Sequence, residues 1–102
     1  MVRDLQEYKN GIESAFAKNK VVKAFVFGSF ATGEIDESSD IDFLVEFEDN
    51  LTPLQKGELW WALYDQLREI TQRNIDLLTP SSLKNPYFIE SLERTKKLIY
   101  AA

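Results

Sequence analysis

The 102 residues include no cysteine and no histidine. The first absence excludes a disulfide framework, and the two together exclude a Cys/His zinc site. They exclude Ser-His-Asp and Cys-His nucleophile systems as well. Any acid-base or metal chemistry therefore falls to Asp, Glu, Lys, Tyr or Ser. Basic charge is also short: 12 Lys and Arg against 17 Asp and Glu give a net charge of -5. That is the wrong sign for a general nucleic-acid binder, which must meet phosphates. No apolar run approaches the ~20 residues needed to span a bilayer. The segment Met1–Tyr8, with Arg3, Asp4 and Glu7, has no signal-peptide core. The expectation is a cytoplasmic protein with no membrane partner. With 44% hydrophobic residues and no linker or low-complexity tract, residues 1–102 read as a single domain.

The basic residues avoid one long stretch. No Lys or Arg occurs between Lys23 and Lys56, whereas Glu34, Asp36, Glu37, Asp40, Asp42, Glu46, Glu48 and Asp49 crowd into the same region. An acidic run is ordinarily a solvated loop. This one is interleaved with Ile41, Phe43, Leu44, Val45 and Phe47, so part of it folds into a core.

Hydrophobic periodicity predicts the elements. Leu5, Tyr8, Ile12, Ala15 and Phe16 recur at helical spacing within Asp4–Lys18. Val21–Phe27 is a β-branched and aromatic run that reads as a buried strand ending in Gly28-Ser29. Residues 28–39 read as a loop with one helical turn after Ser29, and Ile41–Phe47 as a second strand. Thr52 as N-cap and Pro53 at the first helical position open a helix to about Gln72, with Trp60, Leu63, Tyr64, Leu67 and Ile70 as its core stripe. Trp61 lies about 100° from that stripe, on a face with Leu54, Glu58, Asp65 and Arg68. Either it wraps an edge of the core, or it is an anchor for a partner protein or a second copy in a homo-oligomer. Asn74–Thr79 predicts a short third strand, and Ser81–Asn85 a turn or short helix. Pro86 to about Tyr100 predicts a last helix carrying Phe88, Ile89, Leu92, Leu98 and Ile99. The fold expected is α/β in the α+β sense: a small three-stranded sheet with helices packed on it.

Asp40-Ile41-Asp42 begins the second strand. Residues i and i+2 of a strand share a face, so the two carboxylates lie together while Ile41, Phe43, Val45 and Phe47 face the other way. Two adjacent anions on a partly buried strand repel, and a divalent cation relieves that repulsion. Oxygen-only ligation suits Mg²⁺, which shares its shell with water and phosphate. Asp76, between Ile75 and Leu77, offers a third carboxylate from another strand. Gly28 permits close backbone approach to a ligand, and a helical turn after it presents N–H groups to a phosphate. Gly28 to Gly33 has the glycine spacing of a Walker A loop, but Glu34-Ile35 stands where Lys-Ser/Thr is required. An EF-hand starting at Asp36 puts Ile41 at the glycine position and Phe47 at the bidentate glutamate. Both motifs fail.

Phe27-Gly28-Ser29, ten residues, Asp40-Ile41-Asp42-Phe43-Leu44-Val45 and then Ile75-Asp76-Leu77-Leu78 together resemble the nucleotidyltransferase superfamily that includes DNA polymerase beta. The likeness is to its minimal nucleotidyltransferases and extends over essentially the whole chain. The resemblance implies a nucleotidyltransferase fold with a small mixed sheet. It implies an enzyme that moves a nucleoside monophosphate, AMP from ATP, to an acceptor hydroxyl. Asp40, Asp42 and Asp76 are its implied catalytic and metal-binding residues, holding two Mg²⁺ ions. Gly28 and Ser29 are its implied nucleotide-binding residues. It also implies a HEPN-domain toxin as partner, with this chain as antitoxin and a tyrosine of the toxin as acceptor. The alternative is a non-catalytic module that neutralises its partner by binding. Many relatives carry Arg where this chain has Thr32, so triphosphate binding here leans on metal, backbone N–H groups and residues from other elements.

Overall fold

Two strands pair antiparallel at the centre of the sheet, β1 (Val21–Phe27) and β2 (Ile41–Phe47). They belong to a computed structural model that describes residues 3–36 and 38–102; Met1, Val2 and Glu37, the last from the acidic run, lie outside the described residues. β3 (Ile75–Leu78) runs parallel to β2 on one side, and β4 (Lys97–Ala101) runs antiparallel to β1 on the other. The order is β3-β2-β1-β4 in one mixed sheet.

The fourth strand corrects the expectation of three. Ile99 falls in helical register with Leu92, so local spacing allowed a helix to Tyr100. The chain instead leaves the helix α4 (Pro86–Thr95) at Lys96, which takes extended angles of φ -61° and ψ 147°. Without β4, the outer N–H and C=O groups of β1 would lack partners. Pairing from Lys23↔Ala101 to Val26↔Lys97 satisfies them, and this decides against helix. The predicted first helix is also divided. Arg3–Tyr8 is 3₁₀, and only Lys9–Lys18 is α-helical (α1).

Four residues after β1, Ser29–Thr32, form the single helical turn α2. The long helix α3 (Pro53–Thr71) begins as its sequence predicts. Thr52 Oγ1 accepts the Gln55 N–H at 3.2 Å, and Gln55 Oε1 accepts the Thr52 N–H at 2.8 Å, a reciprocal capping box. Its buried residues are Leu63, Leu67 and Thr71, with Trp60, Tyr64 and Ile70 packed at the margin.

The strand alternation divides the core. Val26, Ile41, Phe43, Val45 and Leu77 face α1 and α3 in the main cluster, where the Phe16 ring meets Phe43 edge-on at 5.9 Å. Phe27 and Leu44 face the other way and form a smaller cluster with Leu92 of α4. The molecule is therefore layered as α1 and α3, sheet, α4. Trp61 stands outside both clusters at 61% exposure, near-perpendicular to the rings of Trp60 and Tyr64. Among the described residues, no helix is long and apolar enough to cross a membrane.

Two truncations separate these environments. Leu92→Ala, in the smaller cluster, should destabilise the chain by about 2–5 kcal/mol. Trp61→Ala should cost about 1 kcal/mol or less, since it leaves no core cavity. Urea unfolding of both variants checks the pair, and an equal loss would place Trp61 in the core.

Candidate active site

β1 ends where β2 begins, so their antiparallel pairing brings the Gly28-Ser29 turn beside Asp40-Ile41-Asp42. Phe27 is the cross-strand partner of Asp42, and Asp76 on β3 is its neighbour on the other side. Side chains of paired residues emerge on one face. Phe27, Asp42 and Asp76 therefore share the α4 side of the sheet, while the fully buried Ile41, Phe43 and Val45 occupy the other. Asp42 is half-buried; Asp76, on the edge strand, and Asp40, just ahead of β2, are exposed.

Gly28 meets two demands at once. Its backbone sits at φ 65° and ψ -143°, a conformation open to glycine. A Cβ there would also overlap Oδ2 of Asp42. The chain then turns directly into α2, where the N–H groups of Ala31 and Thr32 reach the Gly28 carbonyl at 3.0 and 3.1 Å, and that of Gly33 reaches Ser29 at 2.8 Å. The N–H groups of Ser29 and Phe30 precede these bonds and are not consumed by the turn. Thr32 is exposed, its hydroxyl 3.5 Å from the Ser29 carbonyl.

Burial, then the charges of Asp76 and Asp40, push the Asp42 carboxyl up to about 6. The three acidic side chains thus influence one another, although among the described residues no group of three is gathered closely enough to enclose a metal ion. The donor set is oxygen only, and the mutual repulsion that raises Asp42 is what a cation would relieve. These residues fit a Mg²⁺ ion that completes its shell with water and phosphate.

Two further residues organise the site, and sequence reasoning missed both. Asp36 lay hidden in the acidic run. Its carboxylate accepts the Ser38 N–H at 2.8 Å and the Ser38 hydroxyl at 2.7 Å, and these bonds hold its pKa below the usual carboxyl value. Arg73 follows α3, and its Nη1 donates to the carbonyls of Asp36 and Ser39 at 3.1 and 3.0 Å. In sequence it resembles any cation at a helix C-terminus. The one available signal was its place three residues ahead of Asp76.

Known proteins resemble this chain in sequence and in fold. Residues 10–102 match the polymerase beta nucleotidyltransferase family. A Methanocaldococcus jannaschii protein named for protein adenylyltransferase activity is 42% identical over 83 residues, which are 81% of this chain and 79% of that one. A solved minimal nucleotidyltransferase superimposes with a TM-score of 0.67 at 31% identity, covering 92% of this chain and 91% of that one. A Shewanella oneidensis complex of a tri-AMPylated HEPN toxin with its MNT antitoxin gives a TM-score of 0.60 at 22% identity, covering 95% of this chain and 72% of that one. The last likeness is one of fold.

The raised carboxyl has a signed consequence. The folded chain binds the Asp42 proton more tightly than the unfolded chain does, so ionising Asp42 lowers stability as pH rises from 3.8 through about 6. Water still screens half of this side chain, which reduces the effect to about 1 kcal/mol. Asp42→Asn should therefore melt about 4–8 °C higher than the parent at neutral pH, with the gap closing as the pH falls toward 3.8. Melting curves in chelator across that range test it. A gap independent of pH would remove the repulsion from the account.

Proposed function

From a chain that belongs to the polymerase beta nucleotidyltransferase family, we propose an enzyme that transfers AMP from ATP to a tyrosine hydroxyl of a HEPN-domain toxin, silencing it as an antitoxin. The observation that carries this reading is the contact of the Gly28 backbone with Asp42, with Asp76 in register beside it. A phosphate-sized anion seated on the turn would lie next to the carboxylates. The acceptor is supported by the AMPylated toxin of the Shewanella complex and by the name of the Methanocaldococcus relative.

In this mechanism the Ser29 and Phe30 N–H groups and the Ser29 hydroxyl receive the β and γ phosphates. Gly28 keeps the turn free of a side chain that would separate phosphate from Asp42. Asp40, Asp42 and Asp76 would hold two Mg²⁺ ions, which would supply Lewis-acid polarisation of the α-phosphate and neutralise charge on the departing pyrophosphate. Asp76, exposed on the edge strand, orients the acceptor hydroxyl for in-line attack. The acceptor hydroxyl gives its proton to the Asp76 carboxylate, its oxygen bonds to the α-phosphorus as the bond to the bridging oxygen breaks, and pyrophosphate leaves. Thr32 adds no positive charge to this arrangement.

A second reading, neutralisation by binding alone, is favoured by Trp61 at 61% and Leu54 at 74% exposure on one helix face. The two readings differ in what Asp76 does. With labelled ATP and a HEPN-domain protein as acceptor, Asp76→Asn should lower turnover by ~10² or more while ATP affinity and partner binding change little. Trp61→Ala should weaken partner binding by ~10-fold or more and leave ATP binding intact. A parent protein that transfers no label yet silences its partner, with Asp76→Asn equally effective, would replace catalysis with binding.

Metal and nucleotide should also act together. Mg²⁺ with ATP should raise the melting temperature more than the sum of either alone. Asp40→Asn combined with Asp42→Asn should abolish that synergy. An unchanged response in the double variant would remove these carboxylates from the site.

A further inference from the structure

We infer that Arg73 is the positioning residue that clamps the Gly28-Ser29 turn to the carboxylate-bearing start of β2, so that one guanidinium keeps the two halves of the site in register. The argument begins with the connection it bridges. Between α2 and β2 the described residues 33–36 and 38–40 have no regular helix or strand, and Glu34, Asp36, Ser38 and Asp40 are exposed. Asp36 closes this loop on itself: its carboxylate takes the Ser38 N–H and hydroxyl, and its own N–H donates to Ser39 Oγ at 2.9 Å. Such bonds shape the loop without aiming it at anything.

Arg73 supplies the aim. Its Nη1 donates to the carbonyls of Asp36 and Ser39, so it holds the residue immediately before Asp40. Its guanidinium also lies 5.2 Å from the centre of the Phe30 ring, and Phe30 immediately follows Ser29. At the next residue, the Asn74 carbonyl accepts the Ile41 N–H at 3.0 Å and starts the β2–β3 ladder that aligns Asp76 with Asp42. Arg73 and its immediate neighbour thus touch α2, the loop ahead of Asp40 and the first residue of β2.

Arg73 is itself held in place. Gln72 takes the left-handed conformation at φ 57°, with its N–H on the Arg68 carbonyl at 2.8 Å, and turns the chain out of α3. The Arg73 N–H donates to Oγ1 of buried Thr71 at 3.4 Å, whose hydroxyl donates to the Leu67 carbonyl at 2.8 Å. The Nη1 bonds go to two carbonyls, so they fix geometry rather than neutralise charge. Both carbonyl bonds leave from Nη1, so what a lysine ammonium lacks is the planar, delocalised guanidinium that places its central carbon over the Phe30 ring while Nη1 donates. The conservative substitution is therefore the informative one.

The role in turnover rests on the AMP-transfer reading, and the experiment keeps the two separable. Arg73→Lys and Arg73→Ala are made in the full chain. ATP turnover, KM, melting temperature and backbone amide exchange are then measured. Arg73→Lys should lower kcat by ~10–100-fold, the scale of a 1 Å misplacement, with a smaller change in KM and little change in melting temperature. Exchange should accelerate together in residues 29–32 and 36–41, with α1 and α3 protected as in the parent. Added guanidinium ion should restore part of the Arg73→Ala turnover, where an equal concentration of sodium does not. Parent-like kcat and exchange in Arg73→Lys would overturn the inference, as would exchange rising uniformly across the sheet. If the parent transfers no AMP, the functional reading falls alone. The exchange pattern, which needs no substrate, then decides Arg73.

Discussion

The site depends on one pairing, β1 with β2 in the register that sets Phe27 against Asp42. It delivers Gly28, one residue past Phe27, onto the Asp42 carboxylate across a loop of more than ten residues. A one-residue slip would turn every side chain of β2 to the opposite face, burying Asp42 in the main core and exposing Ile41 and Phe43. The register is protected because Ile41, Phe43 and Val45 are wholly buried against α1 and α3. Hydrophobic burial on one face thus places the charge on the other. The parallel addition of β3, again with an aspartate at the matching position, doubles the acidic density at the same spot.

This arrangement opposes folding. Asp42 is half-buried between like charges, and no arginine or lysine is found within hydrogen-bonding reach of it among the described ion pairs, which are confined to α4 and the residue after it. A protein built for stability alone would pair or remove such a carboxylate. Its retention at the mouth of a glycine turn is a local conflict of the sort that marks functional positions. Asp36 orders the loop, and Arg73 anchors it to the end of α3.

Much of this was legible in the sequence. Val21–Phe27, Ile41–Phe47 and the Thr52-Pro53 helix start were readable because each signal is local: β-branched runs bounded by glycine, alternation, and a cap within three residues. The aspartates stood out because strand periodicity alone puts Asp40 and Asp42 on one face, away from Ile41, Phe43 and Val45. Trp61 was readable as off the stripe, though not as exposed. The last strand was misread because Leu92 and Ile99 satisfy helical spacing. Nothing in Lys97–Ala101 reveals that β1 has a vacant edge. Arg73 was missed because its partners lie 34 and 37 residues away.

The sequence by itself determined which residues are apolar, where helices begin and turns fall, and which side chains are able to hold phosphate or a cation. These follow from backbone propensity and side-chain chemistry within a few residues. Only the tertiary structure decided the company each one keeps. It made β4 a strand, raised Asp42 through the charges of Asp76 and Asp40, and gave a guanidinium after α3 two loop carbonyls and an aromatic ring. Each outcome depends on groups distant along the chain meeting where their hydrogen bonds and charges have no other partner, and no local pattern records that meeting.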